Sequence, residues 1–325
     1  MIKTLEIKNF KSIKQLKLDC KRINILIGEP NTGKSNILET LVVFSFGYYW
    51  QYTNNSLADF VRFERTSNLF YDENLEEPVQ IKPDDMNFTL KFQTGRFIGE
   101  ISSERTQIAQ FSGDYNSFNS HGHIAPELAP FKSYKFAVQK VFPRPESDFL
   151  LPPSGTNLMS LILTHKELRS LANDIFAKFD LRLGLRPQEN KIEVIKQLGD
   201  IIVSYPYSLT SDTLQRIIFY LAAVISNKDS ILIFEEPESH AFPYYTKYFA
   251  ETIALDTRNN QYFISTHNPY LLLPLLEKAP KEDVAVFITD FKDYQTKVKL
   301  LNAAEVEEIM EIDVFSNLDR FLEGR

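Results

Sequence analysis

Residues 28–35 read Gly28-Glu29-Pro30-Asn31-Thr32-Gly33-Lys34-Ser35, a match to the phosphate-loop pattern G-x-x-x-x-G-K-[ST]. The flanks decide what that match means. Ahead of it stands an apolar run, Ile23-Asn24-Ile25-Leu26-Ile27, which reads as a strand. Behind it, Asn36 to Phe44 puts Ile37, Leu38, Leu41 and Val42 at helical spacing. A strand that turns tightly into a helix aims backbone N–H groups and the positive end of the helix dipole at one point. Gly28 and Gly33 allow the turn and the close approach, and Asn31 and Thr32 complete the cradle. Lys34 is placed to reach the terminal phosphates, and the Ser35 hydroxyl to ligate Mg²⁺. A chance glycine-lysine turn would need neither flank, so the expectation is a chain that binds a nucleoside triphosphate.

Composition narrows the class. The 325 residues are 43% hydrophobic, enough for one large domain or two. A formal net charge of -7 argues against a chain whose main task is coating nucleic acid. Cys20 is the single cysteine, so neither an intrachain disulfide nor a cysteine-based zinc site can form. Met1 to Glu6 lacks the apolar segment of a signal peptide. The most apolar helical run, Ile217 to Ile225, is bounded by Arg216 and Lys228 and is too short to cross a bilayer. A soluble cytoplasmic protein with no membrane partner is expected.

Along the chain, alternation at Ile2, Leu5, Ile7 and Phe10, then Ile13, Leu16 and Leu18, predicts two strands leading into the phosphate-loop strand. Residues 50–133 are irregular, with strand-like runs at Phe88 to Phe92 and Phe97 to Ile101. Ser112 to His123 is small and polar and reads as a surface loop. His121 and His123 have no third ligand nearby in sequence, which favours a solvated loop over a metal site. From Leu158 to Phe179 the pattern is helical, with Leu161, Leu168, Leu171, Ile175, Phe176 and Phe179 able to share a face. No heptad is sustained and no repeat is visible. The reading is a single domain, residues 1–325: a core at 1–45 and 204–290, an insertion at about 46–203, and a tail at 291–325.

Ile231-Leu232-Ile233-Phe234-Glu235-Glu236 is an apolar strand ending in two carboxylates. The first can hold the water shell of Mg²⁺ and the second can polarise the water that attacks the γ-phosphate. A buried strand ending in solvated glutamates is the competing reading, and the phosphate loop weighs against it. Ser211-Asp212-Thr213-Leu214-Gln215-Arg216 opens a helix capped by Thr210 or Ser211, with Leu214, Ile217, Ile218, Leu221, Val224 and Ile225 on its apolar face. Taken alone it is an ordinary capped helix. Tyr262-Phe263-Ile264-Ser265 reads as a further strand, followed by Thr266-His267-Asn268-Pro269.

Four elements in this order, GEPNTGKS at 28–35, SDTLQR at 211–216, ILIFEEPESH at 231–240 and STHNP at 265–269, make the chain resemble the ATP-binding-cassette ATPases of the SMC/RecF branch. The resemblance is closest to the OLD (overcoming lysogenization defect) group. The opening Ile7-Lys8-Asn9-Phe10-Lys11-Ser12 also resembles the family's start. The resemblance implies an α/β P-loop ABC-type ATPase head, with a β-rich N-terminal lobe and a mixed helical insertion between the phosphate loop and the signature. It implies Glu235 as the metal-side carboxylate with Ser35, Glu236 as general base, His267 as the switch histidine, and 237–240 as the D-loop region. Ser211 then matches the signature serine, which touches ATP held by another subunit. Two departures stand out. Thr213 replaces the usual signature glycine, and the Q-loop glutamine has only Gln93 and Gln139 as candidates.

OLD nucleases also carry a Toprim domain beyond the histidine. Here 58 residues follow His267, against the roughly 100 a separate catalytic domain needs. The expectation is a stand-alone head that dimerises around two ATP molecules with Mg²⁺ and relays hydrolysis to a separately encoded effector, to DNA, or to both. An ATP-gated scaffold with little turnover is the alternative. If DNA is bound, Lys8, Lys11, Lys14, Lys17, Lys21 and Arg22 are the candidate contacts, though a solvated strand edge explains them as well.

Overall fold

The computed structural model describes residues 1–52, 56–104, 106–121, 125–143 and 147–322. The alternating start forms β1 (Thr4–Phe10) and β2 (Ile13–Asp19), paired antiparallel with Leu5, Ile7 and Ile13 fully buried. The next strand, β3 (Ile23–Gly28), is buried at every residue. Unbroken burial marks a strand covered on both faces. Helix α1 (Lys34–Tyr49) runs on past Phe44 and buries 13 of its 16 residues, so it has no solvent face. It lies between two sheets.

On one side of α1 is an antiparallel sheet of seven strands. To β1 and β2 it adds β4 (Val79–Pro83), β5 (Met86–Gln93), β6 (Arg96–Ser103), β7 (Thr106–Gly113) and β8 (Phe118–His121), in the order β2-β1-β4-β5-β6-β7-β8. Both expected runs fall inside β5 and β6. The stretch read as a loop from Ser112 is corrected: its ends belong to β7 and β8, which pair from Gln110 with His121 to Gly113 with Phe118. Buried Phe111 and Phe118 hold that hairpin to the core despite its polar sequence. His123 lies outside the described residues.

The chain then supplies β9 (Phe131–Tyr134), α2 (Leu158–Thr164) and α3 (Lys166–Ala177), with His165 separating what the periodicity had joined. A small antiparallel sheet follows, β10 (Leu181–Arg186), β11 (Lys191–Leu198) and β12 (Ile201–Pro206). After it come α4 (Asp212–Ser226), β13 (Ile231–Glu235), α5 (Pro243–Ala254), β14 (Gln261–Ser265), α6 (Pro269–Lys278), β15 (Val284–Lys292), β16 (Gln295–Leu300), α7 (Ala303–Glu311) and α8 (Leu318–Leu322). The second large sheet has the order β16-β15-β3-β14-β13-β9, parallel except for β16. The expected partition is therefore corrected twice. Strand β9 comes from the supposed insertion, and β16 from the supposed tail, yet both belong to the core sheet.

Helices α4, α5 and α6 cover the face of this sheet turned away from α1. Because β3, β14 and β13 are neighbours and parallel, the loops leaving their carboxyl ends meet at one edge. Ligands of open parallel sheets bind at that edge. Among the described residues no helix is long and apolar enough to cross a membrane.

Candidate nucleotide site

The loop after β3 is shaped by its glycines. Gly28 has φ 151 and Gly33 has φ 98, and a Cβ at either would overlap Thr289 or Thr296 from β15 and β16. Asn31, exposed, takes φ 64, a value asparagine tolerates. The Thr32 hydroxyl bonds the Glu29 carbonyl at 2.9 Å and Thr289 Oγ1 at 2.6 Å, so Thr32 braces the loop. Lys34 Nζ donates to the carbonyls of Gly28 (2.8 Å) and Glu29 (2.7 Å). Burial pushes its ammonium below the usual lysine range, against the opposing pull of Glu236 and Glu235.

The other expected groups converge here. Glu235 pairs in register with Ser265, and Ser265 with Leu26, so the ends of β13, β14 and β3 lie side by side. His267 Nδ1 stands 3.3 Å from Glu236 Oε1. Ser35, Glu235 and Glu236 line one cavity of about 360 Å³, to whose wall α4 contributes Arg216 and Tyr220. The donor set suits a nucleotide and its metal ion: a tight loop ahead of a helix start with glycines at 28 and 33, one ammonium, one hydroxyl and two carboxylates.

Ser211 lies apart from these groups. It is the N-cap of α4, yet its hydroxyl bonds nothing at the helix start. It borders a separate groove of about 760 Å³ with Leu209, Phe242 and Tyr244. The departure at Thr213 has a physical reason. Its hydroxyl donates to the His240 carbonyl at 2.9 Å, which joins the start of α4 to the loop after β13.

Neither glutamine candidate lines the cavity. Gln93 pairs with Arg96 beside the β5–β6 turn, and Gln139 lies five residues beyond Tyr134. What sequence reasoning missed is Arg62. Its Nη2 donates to Glu235 at 2.8 Å and its Nε to Glu39 at 3.0 Å. Glu39, one helical turn after Ser35, also pairs with Lys11. No motif surrounds Arg62, so only the fold reveals it. Lys11 and Arg22 are corrected as DNA candidates: Lys11 is committed to Glu39, and Arg22 to Asp283 at 2.8 Å and the Ala254 carbonyl at 2.9 Å. Lys8, Lys14, Lys17 and Lys21 remain exposed.

Two comparisons with known families fall on the two motif-bearing parts of the chain. Residues 1–114 match the family described as "AAA ATPase domain". Residues 160–273 match "AAA domain, putative AbiEii toxin, Type IV TA system". Over its full length the chain is 24% identical to an "ATP/GTP phosphatase" of Helicobacter pylori, covering 98% of that protein. An uncharacterised protein of Methanocaldococcus jannaschii is 32% identical over 145 residues, 37% of this chain and 60% of that one. Among solved structures, an SMC head bound to the C-terminal winged-helix domain of ScpA aligns with a TM-score of 0.56 at 17% identity, covering 94% of this chain and 99% of that one. A Pyrococcus furiosus SMC head bound to the C-terminal domain of ScpA aligns at 0.54 and 14%, covering 95% and 98%. The fold is that of an SMC head, and both motif-bearing parts of the chain are similar to AAA-type ATPase domains.

Proposed function

We propose that this protein hydrolyses ATP with Mg²⁺ at a site that a second copy completes, and passes the resulting opening and closing to a separate partner. The observation that carries the reading is the contact of Glu236 with His267 at 3.3 Å, beside Lys34, at the ends of adjacent strands. Glu236 is the general base: it takes a proton from water as that water attacks. His267 steadies both the base and the terminal phosphate. Lys34 leaves the Gly28 and Glu29 carbonyls and compensates the β- and γ-phosphate charge. Ser35 and Glu235 would hold Mg²⁺, which when bound would supply positive charge to offset that of the phosphate oxygens. Arg62 keeps Glu235 compensated, so that two adjacent carboxylates do not repel each other across the cavity.

The likeness to a protein named for ATP and GTP hydrolysis supports turnover and makes GTP a second nucleotide to assay. Anti-phage defence and DNA repair are both settings for heads of this form, and a family description that names a toxin system supports the first. The SMC heads solved with ScpA domains support a head that works through a separately encoded effector. DNA is a further candidate, through the exposed lysines of β1 and β2.

The test is steady-state hydrolysis with nucleotide binding measured in parallel. Lys34→Ala is expected to abolish ATP binding. Glu236→Gln is expected to bind ATP and lose at least about 100-fold in kcat, because an amide cannot accept the proton. Full activity in Glu236→Gln, with turnover lost only in Glu235→Gln, reverses the two carboxylate roles. Tight binding with no turnover in the unaltered protein replaces the hydrolase by an ATP-gated scaffold.

A further inference from the structure

Beneath the half-buried Glu236 and the exposed His267 lies a second, buried pair. Glu238 turns inward from the loop after β13 and is 4% exposed. Thr266, fully buried, precedes His267 in the loop after β14. The Thr266 hydroxyl lies 2.5 Å from Glu238 Oε1 and also accepts the Asn268 backbone N–H at 3.0 Å. A hydroxyl has one proton, and Thr266 gives it to Glu238. The other carboxyl oxygen, Oε2, is buried with no hydrogen-bond partner among the described residues.

Packing alone does not account for this. A buried, half-satisfied carboxyl costs free energy that an apolar residue of similar volume would not. What the carboxyl provides is a link. The Glu236 backbone is joined to β14 through its N–H to the Ser265 carbonyl at 3.0 Å, and Thr266 N–H to β3 through the Leu26 carbonyl at 3.0 Å. Glu236 itself sits at φ 42, where a residue with a Cβ stays only if its surroundings hold it. Turn bonds from Ser239 N–H to the Glu236 carbonyl (3.0 Å) and from Ala241 N–H to the Glu238 carbonyl (2.9 Å) make 236–241 one unit. At the near end the Glu236 N–H also reaches Ser265 Oγ at 3.3 Å, and further along the loop the bond between the Glu238 and Thr266 side chains fastens that unit to the segment carrying His267.

We propose that Glu238 is a positioning residue: through Thr266 it clamps the loop of Glu236 to the loop of His267 and sets the separation of those two side chains. The inference rests on the reading of Glu236 and His267 as the hydrolytic pair. Burial raises the Glu238 carboxyl above its usual range, the form an amide imitates. Glutamine at 238 therefore keeps the acceptor for Thr266, whereas alanine removes it.

Two measurements test the clamp. In ATP turnover, Glu238→Ala and Thr266→Val should each lower kcat about tenfold or more, with KM for ATP moving less than about threefold. The double variant should fall no further than the worse single one, since both break one bond. Glu238→Gln and Thr266→Ser should stay within about threefold of the unaltered protein. In hydrogen exchange without nucleotide, Glu238→Ala should speed the Asn268 amide by about tenfold and leave the Ile264 amide of β14 unchanged. Unchanged kcat in Glu238→Ala, losses that multiply in the double variant, or faster exchange throughout β13 and β14 would each overturn the proposal. If the unaltered protein hydrolyses no nucleotide, the hydrolase reading fails instead, and the exchange result alone decides the clamp.

Discussion

Glu39 shows how a single carboxylate organises charge beside the phosphate loop. It is 4% exposed and accepts from Lys11, from Arg62 Nε at 3.0 Å and from the Arg62 backbone N–H at 3.2 Å. Lys11 also donates to the Arg62 carbonyl at 2.5 Å, so the three residues close on one another. Burial lowers the Lys11 ammonium, and Glu39 is the first group opposing that shift. Taking the charge from Glu39 therefore leaves a largely buried cation without its partner, the costly way to break such a pair. Glu39→Gln should lose about 3 kcal/mol of unfolding free energy in urea. A loss below about 1 kcal/mol, the range of surface pairs, would show that solvent reaches Lys11 and that the network is ornamental to stability. None of this was legible in the sequence. Glu39 lies inside a helical pattern and Arg62 in an irregular stretch, and neither has a motif to draw attention to it.

Elements were readable where period and chemistry coincide. Strands β3, β13 and β14 each combine an apolar run with a functional terminus, and the fold places all three as the motifs implied. Strand β9 was not readable, because Phe131-Lys132-Ser133-Tyr134 has no apolar run and carries a lysine at its centre. Its conformation comes from pairing with β13. Lys132 reaches the turn between α4 and β13, donating to Asn227 Oδ1 at 2.6 Å and Ser230 Oγ at 3.1 Å, over the Phe149 ring. With no carboxylate opposing it, burial brings its pKa down from 10.5 to about 7. The unfolded chain then binds more protons between these two values, so this residue makes stability rise with pH across that window. Its favourable contribution is complete above about pH 10.5 and is lost as pH falls through 7. Relative to Lys132→Met, the unaltered protein should gain roughly 3 kcal/mol between pH 6.5 and 9.5 in paired urea titrations. A difference that does not move with pH would mean that Lys132 stays charged in the folded protein.

At the scale of the whole molecule, the residues expected to serve the nucleotide sit in two different places. The phosphate loop, Glu235, Glu236 and His267 gather at the ends of β3, β13 and β14, while Ser211 borders its own groove and lines no wall of their cavity. The Ser211 hydroxyl makes no capping bond at the start of α4, a position where a hydroxyl and the backbone N–H groups can receive a phosphate. The surface beside it also suits an interface: Leu209 is 75% exposed and Phe242 64%. Apolar side chains clustered around a groove are costly to leave in water. A two-fold pairing of heads resolves both features, since each Ser211 would meet the nucleotide of the other copy and two equivalent sites would close together. ATP should then shift Glu236→Gln protein from monomer to dimer in light scattering, because bound nucleotide persists when hydrolysis is blocked. Ser211→Arg should remain monomeric under the same conditions while binding ATP as tightly as before, since the phosphate loop is untouched. Dimers of equal strength with and without ATP would remove nucleotide gating. Dimers that survive Ser211→Arg would place the interface elsewhere, and the groove beside α4 would then need a different partner to cover it.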